Sequence, residues 1–156
     1  GTTVVAGLMN EKMLSLAHVG DSRAYLYRGG ELTRLTDDHS WVHEQVTAGI
    51  LTEDEAKTHP LKNVVTRALG GGASVSPDLR EMEFKVGDMF LFCSDGLTTM
   101  LSDEEIRDVI AADDAKSAED ISHALVDLAN EKGGVDNITV VLVRVEELGP
   151  AAEREE

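Results

Sequence analysis

The chain has 156 residues, a length that suits one domain with a sizeable core. Its formal net charge of −16 argues against nucleic-acid binding, which depends on Lys and Arg neutralising phosphates, and favours affinity for divalent cations. Apolar residues make up 42% of the sequence, but no run approaches the roughly 20 apolar residues of a membrane span. We therefore expect no membrane contact within this segment, although a tether elsewhere in a longer protein is compatible with it. The single cysteine, Cys93, precludes an internal disulfide framework and favours a cytoplasmic location.

The first part of the chain is predicted to be a succession of β-strands. Residues 2–9 and 13–19 are rich in β-branched and apolar side chains, and a polar Asn-Glu-Lys sequence separates them. The segment RAYLYRGGELTRLT predicts a hairpin, because Gly29-Gly30 suits a tight turn that requires positive φ.

From residue 39 onward the hydrophobic period changes from that of strands to that of helices. WVHEQVTAGI and TEDEAKTHP predict two short helices. The second opens with the capping box formed by Thr52 and Glu55 and closes before Pro60.

Strands and helices then follow one another to the end of the chain. They are a strand over 81–86 with Met82, Phe84 and Val86 on one face, a strand over 89–93 that ends in a turn at Ser94-Asp95-Gly96, helices from Ser102 and from about Ser117, and a strand over 137–145. The last strand is apolar at nearly every position, so we expect both of its faces to be covered.

This order of elements predicts an α+β fold with mainly antiparallel pairing, since no alternating βαβ pattern is present. We expect one domain over 1–148 and a polar tail or linker start over 149–156. The chain opens inside a β-type run, GTTVV, and a domain rarely begins in the middle of a strand. The N-terminal part of the fold is therefore expected to lie upstream of this sequence.

Three aspartates share one placement: Asp21 in HVGDSR, Asp95 in FCSDGL and Asp136 in GGVDNI. Each adjoins the end of an apolar strand and has a glycine within two residues. Carboxylates that converge at rigid strand ends repel one another unless a cation lies between them, and oxygen-only ligands suit Mg²⁺ or Mn²⁺. Asp-Gly and Asp-Asn are also ordinary turn dipeptides, and spacing alone leaves that interpretation open.

The histidines do not predict a metal site. His18 lies in a strand and is expected to be a packed core residue. His39, His43 and His59 are too irregularly spaced for zinc, so we expect solvated surface positions.

Cys93, next to Ser94-Asp95, is predicted to be a core residue. The Cys-x5-Arg loop of cysteine phosphatases would require arginine at the position of Thr99.

Four segments occur in an order that resembles the metal-dependent protein phosphatases of the PP2C (PPM) family. They are GTTVV, AHVGDSRAYLYRGGELTRLTDDHS, FLFCSDGLTTML and GGVDNITVVLV. The resemblance extends from about residue 1 to residue 146 and is greatest to the bacterial branch that opposes Ser/Thr kinases. The chain looks like the C-terminal two thirds of a catalytic domain of this family.

The resemblance implies a β-sandwich of two antiparallel sheets flanked by helix pairs, here without its N-terminal part. By motif, Asp95 and Asp136 match aspartates that bind the metal pair and so act catalytically through the metals. Asp21 matches the aspartate of a third, weaker metal site. Residues from about 38 to 70, which we call the flap segment, match a region beside the active site that varies between members.

The first motif of the family, which supplies two further metal ligands, has no counterpart here, because it lies upstream of GTTVV. The resemblance therefore implies that residues 1–156 alone are inactive.

The implied activity of the whole protein is hydrolysis of phosphoserine and phosphothreonine on proteins. It would use two or three Mn²⁺ or Mg²⁺ ions and a metal-bridged water. The implied partners are phosphorylated proteins, among them Ser/Thr kinases and their substrates. Two alternatives remain open: a non-catalytic regulatory or binding module with the same sandwich, and a phosphatase of a partner-switching stress regulator.

Overall fold

The computed structural model describes residues 1–72, 74–112 and 116–148, in which the chain forms seven strands and five helices. In chain order they are β1 (Val4–Asn10), β2 (Met13–Val19), β3 (Arg23–Arg28), β4 (Glu31–Arg34), α1 (Trp41–Thr47), α2 (Glu53–Thr58), β5 (Asp78–Glu83), β6 (Met89–Cys93), α3 (Asp95–Met100), α4 (Asp103–Ala111), α5 (Ala118–Glu131) and β7 (Val140–Arg144). The segment 149–156, expected to be a tail or linker start, lies outside the described residues. None of the helices in the described ranges has the length and apolar character needed to cross a bilayer.

The strands form two sheets, both antiparallel throughout. One has three strands in the order β1-β2-β5, and the other has four in the order β4-β3-β6-β7. Burial alternates along β2: Leu14, Leu16 and His18 are buried, and the residues between them are less so. Because a shift by one residue would turn these side chains to the other face, this pattern sets the register of the first sheet. The α+β fold with two antiparallel sheets is confirmed.

The four-stranded sheet is the middle layer, and each of its faces belongs to a separate core. Between the two sheets lies a core that includes Leu16, Leu26 and Phe90. The opposite face packs against α3, α4 and α5 through residues such as Leu91 and Leu125. This double burial explains why β6 is apolar at every position.

Sequence signals account for how the two longer helices begin. Ser102 and Ser117 each accept a hydrogen bond from the backbone N–H three residues later, and a carboxylate there bonds back to the cap, which completes a capping box. The predicted box of Thr52 and Glu55 forms at α2. Helices this short are marginal in isolation, so the caps and the packing of buried faces stabilise them together.

Three local predictions are wrong. The strand predicted over 81–86 begins at Asp78 and ends at Glu83, because pairing with β2 fixes its extent, and Val86 is 57% exposed in the turn that follows. β7 is not covered on both faces, since it is an outer strand and Val141 is 52% exposed. The turn predicted at 94–96 is the beginning of α3, whose Leu97 side chain is fully buried.

Candidate metal centre

A cleft of about 770 Å³ lies between the ends of the strands and the flap segment. Asp21 and Asp95 line its sheet side, Val42 and Lys62 belong to its flap side, and Ser102 lines it at the beginning of α4. Two of the three predicted metal ligands therefore face one space.

Asp21 follows β2, and its position depends on the residue before it. Gly20 has φ of 114°, and a Cβ atom there would overlap the side chain of Thr3, which immediately precedes β1. Glycine is therefore required for the chain to leave β2 in this direction. The exit places Asp21, half-buried, in the cleft.

Asp95 is the first residue of α3, and only Ser94, the N-cap of that helix, separates it from the end of β6. The Ser94 hydroxyl donates to the carbonyl oxygen of Asn137 at 3.0 Å and accepts from the backbone N–H of Thr139 at 3.0 Å. At Gly96, a Cβ atom would overlap the Asn137 carbonyl oxygen. The beginning of α3, which carries Asp95, thus packs closely against the segment that leads into β7.

Asp136 immediately precedes that fitted segment. Its Oδ1 atom accepts a hydrogen bond of 2.7 Å from the backbone N–H of Asn137, and its side chain is exposed. The contacts of Asn137 with Ser94 and Gly96 bring Asp136 and Asp95 to the same end of the four-stranded sheet. In the part of the chain that is described, however, the three aspartates do not bring their oxygens within 4.8 Å of one another as a group.

Electrostatics on the sheet side of the cleft favours a bound cation. Burial, and after it the charge of Asp95, raises the pKa of the Asp21 carboxyl above its ordinary value. The two nearby arginines are already engaged: Arg23 and Arg34 both bind Asp38, at 2.7 and 3.1 Å. Two carboxylates that repel each other across a water-filled cleft form an oxygen-only donor set, which fits a divalent ion such as Mg²⁺ or Mn²⁺.

A family model described as "Protein phosphatase 2C" matches residues 1–138. The chain belongs to the protein phosphatase 2C family. Protein phosphatase PhpP of Streptococcus pneumoniae is 44% identical over 147 residues, which make up 94% of this chain and 59% of that protein.

Solved structures agree with this assignment. The serine/threonine phosphatase of S. agalactiae superposes with a TM-score of 0.88 at 46% identity, over 92% of this chain and 59% of that one. The catalytic domain of the phosphatase PstP, solved in complex with two manganese ions, gives 0.83 at 39% identity, over 93% and 59%. The chain therefore spans less than two thirds of the length of these proteins. The predicted membership of the PP2C family and its phosphatase fold are confirmed.

In this PP2C chain, the arginine of the GDSR motif belongs to a partly buried polar network that the sequence did not predict. Arg23 donates through Nε and Nη2 to Asp38 and through Nη1 to the Tyr25 hydroxyl, which in turn donates to Asp103 at 2.9 Å. The network joins β3, the beginning of the flap segment and the first turn of α4. The only sequence signal for it was the excess of charged residues in a stretch that is otherwise strand-like.

A second group of possible metal ligands lies at the base of the flap segment, where His18, His39 and Asp78 place ligand atoms within 4.8 Å of one another. The prediction of a core position for His18 is confirmed, since it is 4% exposed. The prediction of a solvated His39 is wrong, because it is 3% exposed. Long-range hydrogen bonds, which the sequence does not reveal, satisfy its ring.

The geometry of this second group favours hydrogen bonds over a metal. The rings of His18 and His39 are stacked, with centroids 4.5 Å apart and planes at 24°, whereas a metal ion must lie in the plane of each ring that binds it. His39 Nδ1 accepts from the Gly20 N–H, so Nε2 carries the proton that faces Asp78.

Cys93 is a core residue, as predicted. It is 3% exposed, and burial raises the pKa of its thiol to about 12. The thiol is protonated at neutral pH, and a thiolate nucleophile next to Asp95 is therefore excluded.

Proposed function

We propose that the full-length protein is a metal-dependent protein serine/threonine phosphatase. The observation that carries the proposal is the convergence of Asp21 and Asp95 on one cleft in a PP2C-family fold. The named relatives are protein phosphatases, and the similar PstP domain was solved with two manganese ions. Asp95 and Asp136 would hold the main pair of ions, and Asp21 would contribute to a third.

When bound, divalent ions supply a water of lowered pKa as the nucleophile and neutralise charge on the phosphoryl oxygens. The residues of this chain position those ions and the substrate. Ser94 fixes the beginning of α3 against the segment after Asp136, and Asp38 binds both Arg23 and Arg34, the two arginines that line the cleft. The flap segment forms the facing wall, along which a phosphorylated peptide would lie.

The overall charge makes local cations necessary for such a substrate. A chain of net charge −16 repels a phosphorylated protein at long range, so bound ions must reverse the sign of the field inside the cleft. The expected partners are proteins phosphorylated on serine or threonine and the kinases that produce them. We place the reaction in the cytoplasm, a reducing compartment that suits a chain whose single cysteine cannot form an internal disulfide.

The test uses two single variants of the full-length protein, Asp95→Asn and Asp136→Asn. Each substitution keeps the shape of the side chain and removes its charge. We expect each variant to lose at least about 100-fold in turnover of a phosphothreonine peptide with Mn²⁺, because charge stabilisation worth several kcal/mol is lost. Asp127→Asn, at an exposed position of α5, is the matched control and should retain wild-type turnover. Turnover by the wild-type protein in excess chelator would contradict the proposal, and a wild-type protein without activity would favour a non-catalytic module.

A further inference from the structure

The ring of His39 makes two hydrogen bonds in opposite directions. Its Nδ1 atom accepts from the backbone N–H of Gly20 at 3.0 Å, and its Nε2 atom lies 3.1 Å from Oδ2 of Asp78. A backbone N–H can only donate, so Nδ1 is unprotonated and Nε2–H donates to the carboxylate. Both nitrogens of the neutral ring are therefore satisfied, each by a different part of the chain.

One of these partners lies next to the candidate metal centre. Gly20 precedes Asp21 and is held by His39 twice, since the backbone N–H of His39 also donates to the Gly20 carbonyl oxygen at 2.9 Å. The conformation of Gly20 leaves no room for a side chain beside Thr3. His39 thus clamps the turn from which Asp21 enters the cleft.

The other partner holds the far end of the flap segment. Oδ1 of Asp78 accepts a hydrogen bond of 2.7 Å from Nη1 of Arg67. The backbone closes the same junction, because the N–H of Thr66 donates to the His39 carbonyl oxygen at 2.8 Å. The two ends of the flap segment therefore meet at His39 and Asp78.

Burial restricts the ring to this arrangement. His39 is 3% exposed and stacks on His18, whose Nε2 atom lies 2.8 Å from the Asp37 carbonyl oxygen. A bond to a carbonyl oxygen requires a proton on that nitrogen, which fixes the second ring as well. A rotation of either ring would leave buried polar atoms without hydrogen-bond partners, which is unfavourable.

We propose that His39 is a positioning residue that couples the flap segment to the Asp21 turn. Nδ1 holds the turn at Gly20, which positions Asp21. Nε2 holds the base of the flap segment through Asp78, which binds Arg67. The position of the flap segment relative to the Asp21 carboxylate is thereby fixed across the cleft. The inference rests on the proposed phosphatase function for its kinetic consequences, but the hydrogen-bond arrangement can be tested without activity.

Two substitutions in the full-length protein separate the two bonds. The amide of His39→Asn reaches only as far as Nδ1, where its oxygen can accept from Gly20, and the link to Asp78 is lost. The amide of His39→Gln reaches as far as Nε2, where its NH₂ group can donate to Asp78, and the link to Gly20 is lost. Arg67→Gln cuts the flap link at a half-exposed side chain without disturbing the buried ring.

The first readout is hydrogen–deuterium exchange of the metal-free protein, which needs no turnover. We expect His39→Asn and Arg67→Gln to speed exchange in residues 60–70 and to leave residues 18–22 unchanged. His39→Gln should speed exchange in residues 18–22 and leave residues 60–70 unchanged. An opening free energy lowered by about 1.4 kcal/mol corresponds to about tenfold faster exchange.

The second readout is kinetics with a phosphothreonine peptide and a titration of Mn²⁺. His39→Asn and Arg67→Gln should raise KM about tenfold at an unchanged Mn²⁺ requirement. His39→Gln should raise the Mn²⁺ concentration for half-maximal turnover about tenfold at an unchanged KM.

Two results in hydrogen–deuterium exchange would overturn the proposal: the same altered pattern in both His39 variants, or wild-type exchange in both. A third is the loss of one bound Mn²⁺ per molecule from both His39 variants, measured by calorimetry, which would make the His39 cluster a metal site. If the His39 variants do not fold, Arg67→Gln with unchanged exchange in residues 60–70 would overturn it. A wild-type protein without turnover refutes the phosphatase function alone, because the exchange readout still decides the coupling.

Discussion

Asp21 and Asp88 are two carboxylates whose surroundings act in opposite directions. Burial and the charge of Asp95 raise the pKa of Asp21. Burial also acts to raise the pKa of Asp88, but hydrogen bonds from Arg28 and from the Lys85 N–H outweigh it and lower that pKa. The negative charge of Asp21 is therefore unfavourable in the absence of a cation. The negative charge of Asp88 is stabilised by its hydrogen bonds. Their replacement should therefore have different consequences.

For the full-length protein, we predict that Asp21→Ala lowers turnover and leaves metal binding by the main pair intact. Because burial and the charge of Asp95 both disfavour the Asp21 carboxylate, its removal should leave the melting temperature in chelator unchanged or raised. Turnover assays, calorimetric Mn²⁺ titration and thermal melts check the three parts. A lower melting temperature with unchanged turnover would show that Asp21 serves only the turn.

For Asp88, we predict that substitution with Asn lowers the free energy of unfolding by about 1–3 kcal/mol at pH 7. The folded pKa lies below the unfolded value of about 3.9, so the contribution of Asp88 is complete above that value and is lost as pH falls through the folded pKa. The difference between wild type and Asp88→Asn should therefore shrink in urea titrations carried out below about pH 4. A difference that stays constant to pH 2 would contradict this assignment.

At the scale of elements, the position of the candidate metal centre depends on one close contact, between the link from β6 to α3 and the segment that precedes β7. The beginning of α3 lies against the segment that leads into β7, with Gly96 beside the Asn137 carbonyl oxygen. The beginning of α3 and the segment before β7, more than 40 residues apart in the chain, therefore form one rigid corner. The corner fixes where Asp95 and Asp136 lie relative to each other.

We predict that Gly96→Ala separates the two turns and weakens Mn²⁺ binding by the full-length protein at least about tenfold, since a displaced ligand costs about 1.4 kcal/mol or more. Gly71→Ala is the control, because the nearest atom to its Cβ would be 3.7 Å away. Calorimetry measures the affinity. Wild-type affinity in Gly96→Ala would show that the corner can relax without moving the ligands.

Elements with a strong hydrophobic period could be predicted from the sequence, and those made by long-range pairing could not. α4 and α5 carry both an amphipathic pattern and a cap, and both form where expected. α3 has six residues, a glycine at its second position and no side-chain cap at Ser94, so its sequence gives only a turn signal. Asp78–Arg80, all exposed, become a strand only because β2 lies beside them.

The candidate site could be predicted to the same extent. Motifs identified Asp21 and Asp95, which do share a cleft, because residues at strand ends are placed by the sheet itself. The burial of His39 could not be inferred, since its partners Gly20 and Asp78 lie 19 and 39 residues away and nothing local marks them.

At the scale of the whole molecule, the described chain has one well-covered sheet and one with an open face. β1 is an outer strand with mostly exposed residues, and Leu8 and Leu79 are 70% and 75% exposed. An outer strand with apolar side chains is a template for pairing with another chain. The net charge of −16 opposes such association.

We predict that the 156-residue chain by itself is monomeric at low ionic strength and self-associates at about 0.5 M salt, where the repulsion between molecules is screened within about 4–5 Å. Sedimentation velocity at both salt concentrations measures the change. Leu8→Lys adds a charge on the outer face of β1 and should reduce association at high salt. Equal association of this variant and the wild type would place the contact elsewhere.

The position of the single cysteine gives the molecule an internal reporter. Cys93 lies at the end of β6, between β3 and β7, and its thiol is both inaccessible and protonated in the folded state. A thiol reagent can therefore reach it only when this end of the sheet opens or the helices packed on it move away, and the labelling rate measures how often that happens. Asp95 follows Cys93 by two residues. The labelling rates measured with and without Mn²⁺ therefore show how strongly a bound ion stabilises this end of the sheet, and no engineered cysteine is needed.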